Sequence, residues 1–160
     1  ELPIFFDSGM NGVFLETASE ESLINATLCS NSVETQFCET NISNTQRVKY
    51  TVHPGGLKYA VSLIEVRLIS DIDNTSNMNI AGINEQKDSF SSHKGIYLGL
   101  SKTDIIKLLG KPTGSHNDLL TYQSKMNPKL LDRFNMPIYS ANYHFKGNRL
   151  VYFKFGFEYP

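Results

Sequence analysis

Two alternating apolar segments near the end of the chain place the strongest constraint on its fold. Residues 139–145 and 150–157 alternate apolar with polar side chains, and the pair Gly147-Asn148 separates them. This pattern predicts a β-hairpin with one buried face. In the second strand that face carries Val151, Phe153, Phe155 and Phe157. A protein in water buries such a row, so we predict that it forms the core, with a ligand platform as the alternative.

A capped helix is encoded upstream of this hairpin. Ser101 is a favourable N-cap residue, and Asp104 lies three positions later, as in a capping box. Gly110 and Pro112 then supply a stop signal. The predicted helix spans residues 102–109 and buries three apolar side chains, Ile105, Leu108 and Leu109.

The remaining elements are shorter and are predicted mainly from alternation and turn residues. They are strands at residues 3–6, 12–16, 35–39, 47–53, 57–69 and 119–123, a helix from Ser19 to about Cys29, and a short helix at residues 127–134. The apolar positions change phase between Leu63 and Ile64, which predicts a β-bulge or a change of sheet environment.

The predicted fold is one α+β domain over residues 1–160, in which helices pack on one face of an antiparallel sheet. A polar stretch at about residues 71–92 lacks periodicity, and we interpret it as a connection between an N-terminal αβ part and a C-terminal part. The length of 160 residues, the hydrophobic fraction of 40% and the charged fraction of 19% are typical of one globular domain.

The charge is small overall but unevenly distributed. The formal net charge is -1, so the chain as a whole has no excess of positive charge for nucleic acid, and no nucleic-acid partner is expected. Residues 1–92 hold 5 basic and 12 acidic residues, whereas residues 93–160 hold 10 and 4. The C-terminal half therefore either presents a basic face to an anionic partner or spreads its charge over an ordinary surface.

Cys29 and Cys38 are the two cysteines, nine positions apart in a polar stretch. We predict that they form a disulfide, with two unrelated free thiols as the alternative. A disulfide requires an oxidising compartment, which favours a periplasmic or secreted location. The chain begins without a basic segment followed by an apolar one, so we expect either that a signal segment is missing from this sequence or that the protein is cytosolic. No run reaches the length of a transmembrane helix.

No catalytic signature is recognisable, and we predict no catalytic residues, metal site or cofactor. The four histidines, His53, His93, His116 and His144, are scattered along the chain. A hydrolase whose site assembles from these histidines and aspartates is the enzymatic alternative. The oxygen-bearing residues that follow Asp71 at every second position resemble the start of a calcium loop, but Ser76 replaces its turn glycine.

Four side chains on the solvent face of the predicted hairpin are candidate binding residues: His144, Lys146, Tyr152 and Lys154. Basic groups interleaved with an aromatic ring can bind an anionic head group or nucleic acid. The alternative is an ordinary solvated sheet face on which lysines protect an edge.

The segment from Gly95 onward resembles a known family. The run Gly95-Ile96-Tyr97-Leu98-Gly99-Leu100-Ser101-Lys102-Thr103-Asp104 and the later run Leu108-Leu109-Gly110-Lys111-Pro112-Thr113 precede a strand and an aromatic hairpin. This order is similar to that of the SmpA/OmlA (BamE-like) envelope proteins and the beta-lactamase-inhibitor-like repeat, over residues 95–157. The resemblance implies helices on one face of a small antiparallel sheet, export from the cytoplasm, no catalysis, and binding to other proteins.

These observations lead to one functional expectation with two alternatives. We expect a non-enzymatic secreted or periplasmic protein that binds or assembles with a protein partner. The alternatives are the hydrolase described above and a module that binds anionic lipid surfaces through its basic C-terminal half.

Overall fold

The computed structural model describes residues 1–17, 23, 26–29, 35–53, 59–71, 82–84 and 87–159. Its strands are β1 (Gly9–Met10), β2 (Val13–Phe14), β3 (Thr27–Leu28), β4 (Gln36–Asn41), β5 (Gln46–Val52), β6 (Val61–Leu68), β7 (Gly82–Asn84), β8 (Gly114–His116), β9 (Leu119–Lys125), β10 (Ile138–Lys146) and β11 (Arg149–Glu158). Its helices are α1 (Lys102–Leu109) and α2 (Pro128–Phe134), and one 3-10 turn covers Ile69–Asp71.

One large sheet organises the described part of the chain. Eight strands follow the order β3-β4-β5-β6-β11-β10-β9-β8, and each neighbouring pair is antiparallel. The short strand β7 pairs with β4 in parallel, and β1 and β2 form a separate hairpin. Strand β11 joins β6 of the N-terminal half to β10 of the C-terminal half.

The predicted α+β class is wrong, because the structure is mostly β. The two helices within the described ranges contain 8 and 7 residues, and the eight-stranded sheet dominates. Helices supply only part of the layer that packs on the core face of the sheet, with the side chains of Ile105, Leu109 and Leu130. Much of it comes from non-helical residues before α1, including Phe6, Leu15, Phe90 and Ile96. The sequence pattern overestimated the helices because apolar side chains in connecting segments also cover the sheet.

The C-terminal hairpin forms as predicted, around Gly147 and Asn148, both with positive φ, at 56° and 58°. Phe153, Phe155 and Phe157 are buried on the core face. Val151 is only half-buried, because a register shift makes Leu150 the partner of Phe145 and Tyr152 the partner of His144. Leu150 therefore takes the buried position predicted for Val151.

Helix α1 has the predicted ends. The Asp104 amide donates to the Ser101 Oγ at 3.2 Å, and the Ser101 amide donates to the Asp104 carboxylate at 3.2 Å, so the capping box is complete. Gly110 caps the other end. Ile105 and Leu109 are buried as predicted, whereas Leu108 is 39% exposed. Because α1 has only about two turns, Ile105 and Leu109 are enough to form its contact with the sheet, and Leu108 lies at the side of that contact.

Replacing Ser101 by alanine should lower the free energy of unfolding by about 1 kcal/mol, because the helix loses its N-cap hydrogen bond. Urea unfolding measures this change. Ser101→Thr keeps a capping hydroxyl and should recover most of the lost stability. Equal destabilisation by both variants would show that the cap does not contribute.

The N-terminal elements differ most from their predictions. Residues 3–6 form no strand; Phe6 N instead donates to the Pro3 carbonyl in a turn at 3.0 Å. Strand β2 pairs with β1 across Asn11-Gly12, a two-residue turn with both φ angles positive. The predicted helix from Ser19 lies mostly outside the described residues, but Thr27 and Leu28 at its end belong to β3.

The predicted bulge is present, one residue from its predicted place. Val52 pairs with Val61 and Thr51 pairs with Leu63, so Ser62 is the extra residue in β6. Val61 and Ile64 can then both enter the core. The predicted turn at residues 54–56 and most of the polar connection lie outside the described residues, although β7 falls within that connection.

Cys29 and Cys38 form the predicted disulfide, with their Cα atoms 4.9 Å apart. Cys38 lies opposite Thr27, and Cys29 N donates to the Gln36 carbonyl, so the bond fastens the short edge strand β3 to β4. Closing a ring of this size contributes about 2–3 kcal/mol in the chain-entropy account. The bond is compatible with a secreted or periplasmic protein.

Candidate functional site

The sheet has a second face, opposite the core, which we call the open face. Successive side chains of a strand point to opposite sides, so the residues that alternate with the buried rings of β10 and β11 lie here. His144, Tyr152 and Lys154 are half-buried on this face, and Lys146 is exposed. The four predicted binding residues therefore share one surface, as their alternation indicated.

Cross-strand pairing brings His144 and Tyr152 together. They are directly opposite in the β10–β11 register, with ring centroids 5.1 Å apart. On the other side of β11, Tyr152 is paired with Arg67 of β6, whose guanidinium carbon lies 4.5 Å from the Tyr152 ring centre. This is a cation–π contact, which holds the guanidinium across the ring.

A carboxylate fixes the position of the Tyr152 hydroxyl. Tyr152 Oη donates to Glu65 Oε1 at 2.7 Å, and Lys49 Nζ lies 3.2 Å from Glu65 Oε2. Burial, followed by the hydrogen bond to Glu65, holds the pKa of Tyr152 well above its usual value, so its hydroxyl keeps its proton. We call Lys49, Glu65, Arg67, Tyr152, Lys154 and His144 the basic band.

Lys154 borders a shallow depression of about 360 Å³ on the same face. Gly156 contributes to its lining, together with Ser140 and Asn142. A Cβ at Gly156 would lie 2.1 Å from the Ser62 carbonyl oxygen, so only glycine fits where β11 approaches β6 this closely. The depression thus combines the ammonium group of Lys154 and the carboxylate of Glu158 with neutral polar side chains.

Lys146 is not part of the band. It pairs with Arg149 at the end of the hairpin, beyond the register shift that follows His144. It enlarges the positive surface but does not contact the Tyr152 cluster in the described structure.

His144 adds little positive charge at neutral pH. Burial lowers its pKa, and the nearby charges of Lys154 and Arg67 lower it further. Its ring therefore acts mainly as a neutral hydrogen-bonding and stacking group, while Arg67, Lys49 and Lys154 carry the charge of the band.

The hydrolase alternative gains no support from the positions of the histidines. His53 stacks on Tyr159, with ring centroids 3.6 Å apart, and His93 lies against Phe14. His116 and His144 both flank Leu119, which places them two strands apart, roughly 10 Å in an antiparallel sheet. Within the described ranges, no group of three or more His, Cys, Asp or Glu side chains could hold a metal ion.

The sequence did not predict that β5 and β6 contribute to the basic band. Lys49 lies on β5, and Glu65 and Arg67 lie on β6; the approach of these two strands to β11 depends on the sheet order. The alternation of residues 47–53 and 57–69 indicated strands, but not their partners.

The sequence also did not predict a cleft of about 600 Å³ near the start of the chain. Its lining comes from residues 2–17, from His93 and Lys94, and from the end of α2. No local pattern connects these three segments, so tertiary packing alone creates the cleft.

Neither of the helices in the described part of the chain has the length and apolar character of a membrane-spanning segment. Comparison with protein-family models, with curated proteins and with solved structures finds no match for this chain. The site must therefore be interpreted from its own chemistry.

Proposed function

We propose that this is a non-enzymatic binding protein of a secreted or periplasmic compartment, which uses the open face to bind an acidic surface of a protein partner. The observation that carries the proposal is the basic band. Its cations share the solvent-facing side of the sheet with an aromatic ring, over which Arg67 lies, and its one carboxylate, Glu65, is already engaged by Lys49 and Tyr152.

The charge balance of the open face favours an anionic partner. Lys146 and Lys154 make no ion pair within the described part of the chain, and the nearby Arg67 is held over a ring rather than by a carboxylate. Carboxylates of a partner can pair with these groups without displacing an existing ion pair. Such complementary charge accelerates association and orients the partner.

The shape of the face favours a protein over a lipid surface. Lys154, Asn142 and Ser140 line a depression and can donate hydrogen bonds to one acidic side chain, with the carboxylate of Glu158 as the one like charge in its lining. None of the large apolar side chains that are exposed in the described structure lies on β6, β10 or β11. Membrane-surface modules usually combine basic groups with apolar groups that insert among the lipids.

Neutralising Lys146 and Lys154 together should weaken partner binding about tenfold. Each lysine is at the rim of the proposed interface, where an ion pair with the partner contributes up to about 1 kcal/mol. Glutamine is the suitable replacement, because glutamate at position 154 would face Glu65 across the strand pair. Stability should change little. The matched control is Lys107→Gln with Lys129→Gln, two exposed lysines on the helices.

The measurement uses the wild type and both double variants as immobilised baits for envelope and secreted proteins. We expect the wild type and the control variant to retain an acidic protein that the open-face variant does not retain. Once that protein is purified, it should bind the wild type and the control more tightly than it binds the open-face variant. Equal retention by all three baits would refute the use of this face. Phosphatidylglycerol vesicles form a second arm; binding to them alone, lost in the open-face variant, would favour the lipid alternative.

A further inference from the structure

The cleft near the start of the chain is distinct from the open face. Its wall is mostly apolar and includes Leu2, Ile4, Phe6, Phe14, Leu15 and Phe134. Its volume of about 600 Å³ falls within the range of roughly 300–1,000 Å³ that is usual for small-molecule sites.

Two apolar side chains of this cleft are unusually open to solvent. Ile4 is 64% exposed and Phe14 is 43% exposed. Their neighbours Phe6 and Leu15 are buried beneath them, so the apolar surface continues from the mouth into the cleft. An apolar ligand would remove this surface from water and gain the corresponding transfer free energy.

Among the described residues that line the cleft, every ionisable side chain is basic. These side chains are His93, Lys94 and Arg133. Two carboxylates of neighbouring segments, Asp7 and Glu16, are engaged in hydrogen bonds. Asp7 accepts hydrogen bonds from the Ser92 hydroxyl and from the Lys94 amide, and Glu16 accepts from the Tyr159 hydroxyl at 2.8 Å. The rim therefore complements a negative charge.

The basic groups are carried by a fixed frame. His93 N donates to the Gly9 carbonyl at 2.8 Å, and Lys94 N donates to Asp7 Oδ1 at 3.1 Å. The Arg133 guanidinium carbon lies 5.0 Å from the centre of the Phe134 ring, at the edge of the apolar wall. A site whose backbone is already in place loses less conformational entropy when it binds a ligand.

From these observations we propose that the cleft binds an amphipathic monoanion with a hydrocarbon body and a carboxylate head, in other words a fatty acid. The hydrocarbon body lies along the wall formed by Ile4, Phe14 and Phe134. The carboxylate lies at the rim, where Arg133 can donate two parallel hydrogen bonds and Lys94 adds a second positive charge. This proposal is independent of the function of the open face.

The test is a titration with decanoate below its micelle concentration, followed by calorimetry and by amide NMR signals. Decanoate should bind at one site and shift the signals of Ser8, His93 and Lys94, which border the cleft. Decanol has the same chain without the charge and should bind about tenfold more weakly, since one charge-assisted hydrogen bond accounts for that factor. Equal affinities, or shifts confined to other residues, would overturn the proposal.

Matched variants separate specific binding from general affinity for apolar molecules. Lys94→Gln combined with Arg133→Gln should weaken decanoate binding at least about tenfold and leave decanol binding unchanged. Lys129→Gln, on the same helix but outside the lining, should bind decanoate as the wild type does. If the double variant binds decanoate as tightly as the wild type, the basic rim plays no part and the proposal is wrong. Melting temperatures measured alongside confirm that each variant is folded.

Discussion

Replacing Phe153 by alanine is expected to lower the free energy of unfolding by about 3–5 kcal/mol, the range typical of a buried phenylalanine. Phe153 is fully buried in the central strand β11. Its ring lies nearly parallel to those of Tyr143 and Phe155, at centroid distances of 5.9 and 6.2 Å. The substitution removes both contacts and leaves a cavity that the sheet backbone cannot close.

Urea unfolding measures the loss, and Phe14→Ala is the matched control. Phe14 is 43% exposed at the mouth of the cleft, so its truncation should cost no more than about 1 kcal/mol. If Phe153→Ala were as mild as the control, the aromatic row would not be the core. That row would then become the candidate binding surface.

The second large effect concerns the pH dependence of stability and is expected from Asp7. Burial raises the pKa of this carboxyl group from 3.8 to about 6, despite hydrogen bonds from Ser92 and Lys94 and the nearby charge of His93. Tyr139 and Tyr143 are close on the core side, and burial holds the pKa of both well above its usual value, so both stay neutral.

Because the pKa of Asp7 is raised on folding, the folded protein binds this proton more tightly than the unfolded chain does. The protonated carboxyl group therefore contributes its full stabilisation below about pH 3.8, and this contribution is lost as the pH rises through about 6. The size of the shift corresponds to about 3 kcal/mol, at about 1.4 kcal/mol for each pKa unit. Asp7→Asn cannot titrate, so it should gain about this much relative to the wild type between pH 3.5 and 7.5.

Unfolding free energies of both proteins across that pH range test the prediction. The carboxyl carbon signal of Asp7 provides a direct check, because it should titrate near pH 6. Parallel stability curves for the wild type and Asp7→Asn would contradict the prediction.

The elements that the sequence predicted correctly are those specified by a few neighbouring residues. Ser101, Asp104 and Gly110 define α1 through hydrogen bonds within the helix and its caps, and Gly147-Asn148 defines the final hairpin through its turn conformation. Such signals do not depend on what the element packs against. The same applies to the bulge, because the phase change in β6 is visible from its own side chains.

The errors arise where tertiary contacts decide the outcome. The apolar residues 3–6 fit a strand, but none of the described strands pairs with them, and Phe6 packs its ring against Tyr139 and Phe157 instead. Leu108 fits the helical stripe as well as Leu109 does, and only the position of α1 on the sheet distinguishes them. The cleft and the contribution of β5 and β6 to the basic band depend on the sheet order, which no single segment encodes.

The position of β11 has a consequence for how the chain acquires its structure. Strands β3–β6 and β8–β10 form two groups, and β11, the last of these strands in sequence, is the only one that joins them in the described structure. During synthesis, the edges of β6 and β10 stay unpaired until β11 has emerged. We therefore expect late, cooperative completion of the sheet, with slow folding typical of distant strand pairings. Until then, the two open edges are the sites where neighbouring nascent chains can pair incorrectly.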